Sequence, residues 1–324
     1  MPRAFAIGIL LTVVSAFGFG SGALFAKPVY AADVGWHVLM SWRFLIGAAL
    51  SWLWIASRPG ARAALRRLPR RAIAIAIGLG VLYTGNSATY FAGLETVSAS
   101  LAALIVYIYP AVVAVISLQV GQPLRGRRAW LALAIALAGV ALAVGNIDRT
   151  TAPPIEGLVL MVASPLIYSV WIVLAARLSG EDRDGVGREA EAGSGAADPT
   201  VAGAIMLTAT AATYWSTAVV LGQPVLPAQI PEAAWIGIAG VGIVSTFVAV
   251  QAFYAGAHRI GAARASLVST VEPIWTIALA SLLFGESLGP LQLVGGAMIL
   301  IGVVIAQTRT GATQTASELR IADE

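Results

Sequence analysis

The chain has 324 residues, of which 58% are hydrophobic and 11% are charged, and its formal net charge is +4. Soluble proteins carry about 25% charged residues, so this composition excludes an ordinary soluble protein and is typical of a membrane protein. The absence of cysteine excludes disulfide bonds and thiol chemistry. The positive charge does not indicate a nucleic-acid partner, because the arginines follow the ends of apolar segments and suit contact with a lipid bilayer.

Nearly uncharged segments that could cross the ~30 Å hydrocarbon core of a bilayer recur along the chain. They are residues 4–26, 36–56, 72–92, 97–120, 129–145, 155–177, 200–222, 233–255, 264–284 and 288–307. The first is too long for a signal peptide and is followed by Lys27 and Pro28 instead of a small-residue cleavage site. We therefore predict an all-α membrane protein with ten transmembrane helices.

Basic residues lie mainly on one side of these predicted helices. Seventeen of the 20 lie at the termini or in the connections that would share a side with the termini. Only Lys27 and Arg149 lie in the opposite connections, and Arg43 lies within a predicted helix. Because loops rich in Lys and Arg stay in the cytoplasm, both termini are predicted to be cytoplasmic.

One passage occurs twice in the sequence. Residues 93–110 and 256–273 each begin with glycine, continue through an apolar stretch and end in proline 17 residues later. Their offset is 163 residues, and a weaker echo with an offset of 149 relates Gly8 to Gly157. Five predicted helices per copy would invert the second copy in the membrane. Inverted repeats are typical of secondary transporters, whose site lies between the repeats near the bilayer midplane.

The repeat divides the chain into predicted parts. Residues 1–150 form the first five-helix repeat, residues 151–309 form the second, and residues 310–324 form a disordered cytoplasmic tail. Within the second part, residues 179–199 are polar, rich in glycine and free of aromatic residues. This composition predicts a mobile cytoplasmic loop.

Two charged residues, Arg43 and Glu272, lie well within predicted helices. A charge that faces lipid is costly, so each is a candidate functional residue. Glu272 suits a gating or proton-coupling carboxylate, or a hydrogen-bonded tie between helices. Arg43 could attract a substrate carboxylate, pair with Glu272, or extend its side chain outward to the membrane surface.

Uncharged polar and aromatic residues share single faces of several predicted helices. They are Tyr83, Asn86 and Tyr90 in the third helix, Ser164, Tyr168 and Trp171 in the sixth, and Gln251 in the eighth. Tyr107 and Tyr109 would diverge on a regular helix, but a kink at Pro110 could turn both toward one cavity. Such side chains line binding cavities or join helices by hydrogen bonds, and both interpretations remain open.

Prolines interrupt three of the predicted helices, at Pro110, Pro165 and Pro273. Each removes a backbone hydrogen bond and frees a carbonyl one turn earlier. We predict that they are pivots. Pro110 and Pro273 hold matching places in the repeat, which suits a cycle in which each half opens one side of a cavity.

Short motifs carry a family resemblance: Tyr109-Pro110, Glu272-Pro273, Gly285-Glu286-Ser287-Leu288 and the pattern Gly295…Gly302-Val303. With these motifs the chain resembles the drug/metabolite transporter superfamily, specifically the ten-helix EamA-type exporters and their aromatic amino acid exporter branch. The resemblance implies two inverted five-helix repeats around a cavity in the bacterial inner membrane. It further implies export of aromatic and other neutral amino acids and related small metabolites by alternating access, with no cofactor.

Other functions were weighed against this one. An intramembrane enzyme needs a metal or nucleophile set, but the two histidines lie near predicted helix ends and paired intramembrane carboxylates are absent from the sequence. We therefore predict no enzymatic activity and no metal site. A channel would need a filter built by an oligomer, whereas an internal repeat suits a functional monomer. A multidrug or lipophilic-cation exporter remains the alternative, because Glu272 among tyrosine and tryptophan suits a cation.

Overall fold

The computed structural model describes residues 3–119, 127–145, 152–178, 198–261, 264–265 and 268–307, and within these ranges the chain is helical without a β-strand. The helices are α1 (Arg3–Gly20), α2 (Gly22–Ala31), α3 (Trp36–Ser57), α4 (Pro59–Arg67), α5 (Arg70–Thr96), α6 (Ala99–Val106), α7 (Tyr109–Gln119), α8 (Arg127–Gly145), α9 (Ile155–Leu178), α10 (Pro199–Val220), α11 (Glu232–Gly240), α12 (Ala249–Ile260), α13 (Glu272–Phe284) and α14 (Pro290–Gln307). A π-helix, Val241–Val248, joins α11 to α12, and short 3-10 turns cover Pro227–Gln229 and Ser269–Val271.

Five helical segments of the described chain are long and apolar enough to cross a membrane. They are Ala4–Ala31, Trp36–Ser57, Arg70–Thr96, Ile155–Ala175 and Glu232–Ile260. The shorter apolar helices are Ala99–Val113, Trp130–Ala143, Ser269–Phe284 and Pro290–Ile305. All of these coincide with segments predicted from the sequence, and the remaining predicted segment, 200–222, corresponds to α10.

Helix α10 has 22 residues, but its five threonines lower its hydropathy. The threonine hydroxyls donate to carbonyls one turn earlier, as Thr208 does to Ala204 at 2.7 Å and Thr213 to Ala209 at 2.9 Å. These polar groups are therefore satisfied inside the helix itself.

The first predicted segment ended too early at residue 26. Helix α1 stops at Gly20, and α2 continues through Lys27 and Pro28 to Ala31. Lys27 is half-buried, and its ammonium donates to the carbonyls of Leu94 at 2.8 Å and Val97 at 2.6 Å. These carbonyls end α5, where a cation is favourable, so the lysine can remain within a helix.

The turn between α5 and α6 is also bound from the other end of the chain. The Glu286 carboxylate accepts hydrogen bonds from the backbone N–H groups of Ala99 at 3.0 Å and Ser100 at 2.9 Å. The Ser98 side chain accepts the next N–H, from Leu101. The first N–H groups of α6, which have no partner within the helix, are thereby satisfied.

Glycines allow close helix packing at places that match across the two halves. A Cβ on Gly256 would clash with Thr12 and lie 3.0 Å from the Gly8 carbonyl oxygen, where α12 crosses α1. A Cβ on Gly93 would lie 3.0 Å from the Gly157 carbonyl oxygen, where α5 crosses α9. The sequence repeat relates Gly8 to Gly157 and Gly93 to Gly256, so the two contacts join corresponding residues.

The prolines differ in their effect on the helices. Pro110 is the second residue of α7 and Pro273 is the second residue of α13, so each follows an interruption of its segment. Pro165, in contrast, lies inside α9, which is assigned as one helix from Ile155 to Leu178. The predicted break is therefore present at Pro110 and Pro273 but not at Pro165.

The predicted tail, 310–324, lies outside the described residues, as does the predicted loop 179–199 except for its last two positions. Pro199 already belongs to α10. The Asp198 carboxylate accepts from the N–H groups of Thr200 at 2.8 Å and Val201 at 3.4 Å and thus caps the helix.

Close packing at Gly80 makes a testable prediction. A Cβ on Gly80 would overlap the Met206 carbonyl oxygen and lie 2.9 Å from the Ala209 Cβ, whereas one on Gly78 in the same helix meets nothing within 4 Å. Gly80→Ala is expected to destabilise the protein by about 1–3 kcal/mol through overpacking. The matched control Gly78→Ala is expected to be neutral or stabilising, because alanine has the higher helix propensity. Thermal unfolding of the purified protein in detergent would measure both, and equal melting temperatures would contradict the packing argument.

Candidate functional site

A cavity of about 380 Å³ opens among the helices and has the size of a small-molecule site. Most of the side chains selected from the sequence line it. These are Arg43, Tyr83, Asn86, Tyr90, Tyr107, Tyr109, Ser164, Tyr168, Trp171 and Glu272. Their helices come from both halves of the chain, so the wall is assembled by tertiary packing.

Gln251 does not line this cavity. On α12 the wall residues are Val250, Phe253 and Tyr254, which share one helical face at spacings of three and four. Gln251 points elsewhere because α12 is oriented by the packing of Gly256 on Gly8. The sequence signal for the correct face was the spacing of the apolar and aromatic residues.

Other wall residues were not selected from the sequence. They are Phe19, Gly22, Ala23, Ser87, Phe91, Val106, Gly203, Met206, Leu207, Ser245 and Ser269, besides the α12 residues. Most are small or apolar, and such residues also fill ordinary helix contacts. Their type alone therefore does not distinguish the cavity from the core.

Aromatic rings form a continuous wall on one side of the cavity. Tyr109 contacts Tyr168 with ring centroids 5.0 Å apart, and Tyr168 stacks on Trp171 at 5.9 Å with planes 13° apart. Tyr83 meets Trp171 edge to face at 5.3 Å. The Trp171 indole N–H donates to the Leu79 carbonyl at 2.9 Å, which fixes the ring. A flat apolar or aromatic group of a ligand could pack against this wall.

Tyr107 and Tyr109 both face the cavity, as a kink would allow. Helix α6 ends at Val106 and α7 begins at Tyr109, and the two rings lie 5.9 Å apart. The interruption before Pro110 therefore turns two residues of alternate spacing toward the same space.

Asn86 and Ser164 join two helices within the cavity wall. The Ser164 hydroxyl donates to the Asn86 side-chain oxygen at 2.9 Å, and both residues are buried. This bond connects α5 to α9. Lining the cavity and holding helices together, which the sequence left as alternatives, are thus combined in this pair.

Glu272 is bound by a tyrosine from the other half of the chain. The Tyr107 hydroxyl lies 2.7 Å from the Ser269 carbonyl oxygen and 3.0 Å from Glu272 Oε2. Ser269 is four residues before Pro273, so its carbonyl is the one that the proline leaves without its helical N–H partner. A phenol has one proton and can also accept, so it can donate to an ionised carboxylate or accept from a protonated carboxyl. The arrangement fits either protonation state of Glu272.

Arg43 is buried in the cavity wall and does not extend to the membrane surface. It is 8% exposed, and its Nε–H donates to Thr246 Oγ1 at 2.8 Å. Its guanidinium carbon lies 4.9 Å from the Phe44 ring centroid and 4.7 Å from that of Phe91. Cation–π contacts of this kind stabilise a desolvated arginine. The predicted pairing with Glu272 is replaced by the bond to Thr246.

The described residues contain no cluster of three or more His, Cys, Asp or Glu side chains that could hold a metal ion. The cavity instead offers one basic group, one acidic group and neutral hydrogen-bonding side chains on an aromatic wall.

Comparisons with known proteins agree with a membrane carrier. A family profile described as the EamA-like transporter family matches residues 6–145 and 193–308. An uncharacterized transporter of Archaeoglobus fulgidus is 26% identical over 230 residues, which cover 71% of this chain and 75% of the relative. The uncharacterized transporter YcbK of Bacillus subtilis is 25% identical over 316 residues, which cover 95% of this chain and 96% of the relative. A crystal structure of another protein aligns with a TM-score of 0.61 at 19% identity, covering 94% of this chain and 98% of that one, and so shares the fold.

Proposed function

The chain belongs to the EamA-like transporter family of multi-pass membrane proteins, and on that premise we propose that it exports neutral amino acids, aromatic ones included, and related small metabolites. The observation that carries this proposal is the composition of the cavity. Arg43 and Glu272 line one space together with Tyr83, Tyr168 and Trp171. A free aromatic amino acid has a carboxylate, an ammonium and a ring, and each finds a complementary group in this wall.

The volume also suits such a substrate. About 380 Å³ is near the lower end of small-molecule sites, which suits a single amino acid. Tyr90, a third wall residue, is within electrostatic range of both the Glu272 carboxyl and the Arg43 guanidinium. The two charged groups thus act on the same space.

The proposed architecture consists of ten transmembrane helices in two inverted halves, residues 1–150 and 151–309, with both termini in the cytoplasm. Three observations support the repeat. The family profile matches the chain in two segments, the Gly8–Gly256 and Gly157–Gly93 contacts correspond, and Pro110 and Pro273 each follow an interruption at the same repeat position. An internal repeat lets one chain form the cavity, so we expect a functional monomer.

Transport would proceed by alternating access, with α7 and α13 bending at their interruptions to open opposite sides. Tyr107 joins these two places, because it precedes α7 and binds the carbonyl that Pro273 frees. A change at Glu272 would therefore be felt by both halves. Such matched bends in inverted repeats suit a carrier that opens one side at a time.

The proposed topology can be measured by labelling, since the natural chain has no cysteine. Ala63, in α4, and Ala228, between α10 and α11, are both exposed. Ala63→Cys should react with an impermeant maleimide only from the cytoplasmic side, and Ala228→Cys only from the opposite side. Labelling of both from one side would rule out the ten-helix arrangement.

Stacking on Trp171 would favour aromatic substrates. Trp171→Ala should lower phenylalanine flux about three- to tenfold more than threonine flux, which corresponds to the loss of one aromatic pair. Trp171→Phe is the matched control, because it keeps a ring but removes the N–H that binds Leu79. Flux of both amino acids in proteoliposomes would separate the roles. Equal losses for the two substrates would mean that Trp171 only supports the fold.

If Glu272 carries a proton during the cycle, flux should depend on a pH gradient across the proteoliposome membrane. Glu272→Gln should abolish that dependence, because the amide keeps the shape of the side chain but cannot titrate. Tyr107→Phe should slow flux yet preserve the dependence, since the phenol positions the carboxyl without replacing it. A wild-type gradient dependence in Glu272→Gln would assign Glu272 to a structural tie.

A lipophilic-cation exporter is the second candidate, because the Glu272 carboxyl adjoins an aromatic wall. In the same preparation, ethidium flux that exceeds phenylalanine and threonine flux would favour it.

A further inference from the structure

The π-helix Val241–Val248 adds one residue to the second half of the chain. Gly80 would meet the Met206 carbonyl and Ala209 if it had a Cβ, and Gly242 would likewise meet the Arg43 carbonyl and Ile46. Each partner pair is offset by 163 residues, so Gly80 and Gly242 hold corresponding places.

From Gly80 to the next matched glycine, Gly93, is 13 residues, whereas from Gly242 to Gly256 is 14. The extra residue therefore falls within this stretch, where a π-helix of eight residues is present. The Thr246 hydroxyl donates to the Val241 carbonyl five residues earlier at 2.9 Å, as the wider π turn allows. Single-turn π insertions frequently occur at functional sites.

The insertion brings two hydroxyl residues to the base of the cavity wall. Thr246 accepts the Nε–H of Arg43. Its neighbour Ser245 lines the cavity, is 2% exposed, and its hydroxyl has no hydrogen-bond partner among the described residues. A Cβ on Gly22 would lie 3.5 Å from Ser245 Oγ, so the glycine leaves the space before this hydroxyl open.

Arg43 has donors left for a ligand. A guanidinium carries five N–H groups, of which Thr246 takes one and the Met40 sulfur contacts the Nη1 group at 3.9 Å. A buried hydroxyl without a partner loses its hydration without compensation, which is unfavourable unless something binds there. An acceptor that is anionic and has two oxygens would satisfy both side chains, and a carboxylate has this form.

We propose that Arg43 and Ser245 form a subsite for the carboxylate of the substrate, and that Thr246 is the positioning residue that holds the guanidinium in place. The inference rests on the proposed export of amino acids and assigns their carboxylate to this part of the wall. The ammonium is then left to Glu272 and the side chain to the aromatic wall. A purely structural Arg43 would account for the phenylalanine contacts but would leave the Ser245 hydroxyl unexplained.

Three probes with the same ring test the subsite: phenylalanine, 3-phenylpropanoate, which lacks the ammonium, and phenethylamine, which lacks the carboxylate. Calorimetric titration of the full-length protein in detergent gives their Kd values. Ser245→Ala should raise the Kd of both carboxylates on the order of tenfold, as for a lost hydrogen bond to a charged group, and leave that of phenethylamine unchanged.

Thr246→Val should have the same selective effect, and Thr246→Ser should restore carboxylate binding because it keeps the hydroxyl. Ser15→Ala is the matched control. Ser15 is also buried with a hydroxyl that has no partner among the described residues, but it is not one of the residues that line the cavity. This variant should leave all three Kd values unchanged.

The outcomes separate the subsite from the proposed function. If the wild type binds phenylalanine and Ser245→Ala weakens all three probes equally, or none, the subsite is overturned while amino acid export stands. If the wild type binds phenethylamine but neither carboxylate, the proposed function falls as well and cation export is favoured. Absence of binding by all three probes contradicts both.

Discussion

The structure depends on one constraint: within a bilayer every backbone polar group needs a partner from the protein itself. This chain interrupts its helices beside the cavity, and each interruption has a defined partner. Tyr107 donates to the Ser269 carbonyl that Pro273 frees. Thr276 donates to the Gly20 carbonyl at 2.8 Å, where α1 ends. Glu286 accepts from the first N–H groups of α6.

These partners connect the two halves of the chain. Tyr107 belongs to the first half and its acceptor to the second, while Thr276 and Glu286 of the second half bind backbone of the first. The breaks therefore cannot change independently. For a carrier this is useful, because bending at one break alters the hydrogen bonds that stabilise the other half.

The proposed repeat separates scaffold from site. Glycine contacts such as Gly8–Gly256 and Gly93–Gly157 recur in both halves and fix the distances between helices. The cavity side chains do not recur, since the position that holds Arg43 in the first half holds Met206 in the second, and Tyr109 corresponds to Glu272. Repetition thus builds the frame, and divergence supplies one basic and one acidic group in a single cavity.

The sequence by itself determined the helical class, the interruptions before Pro110 and Pro273, and most of the polar face of the cavity. These features are local: apolar length, proline chemistry and the spacing of three and four residues act within one helix. It did not determine the face of α12, so Gln251 was placed wrongly, because rotation of a helix about its axis is set by its neighbours.

Only the tertiary structure decided which residues meet. Thr246 holds Arg43 from 203 positions away, and the hydroxyl of Ser245 reaches the wall through a π turn that no composition or period announces. Lys27 and Glu286 read as loop residues because their partners are backbone groups of distant helices. Such contacts arise from packing across the whole chain, and no local pattern encodes them.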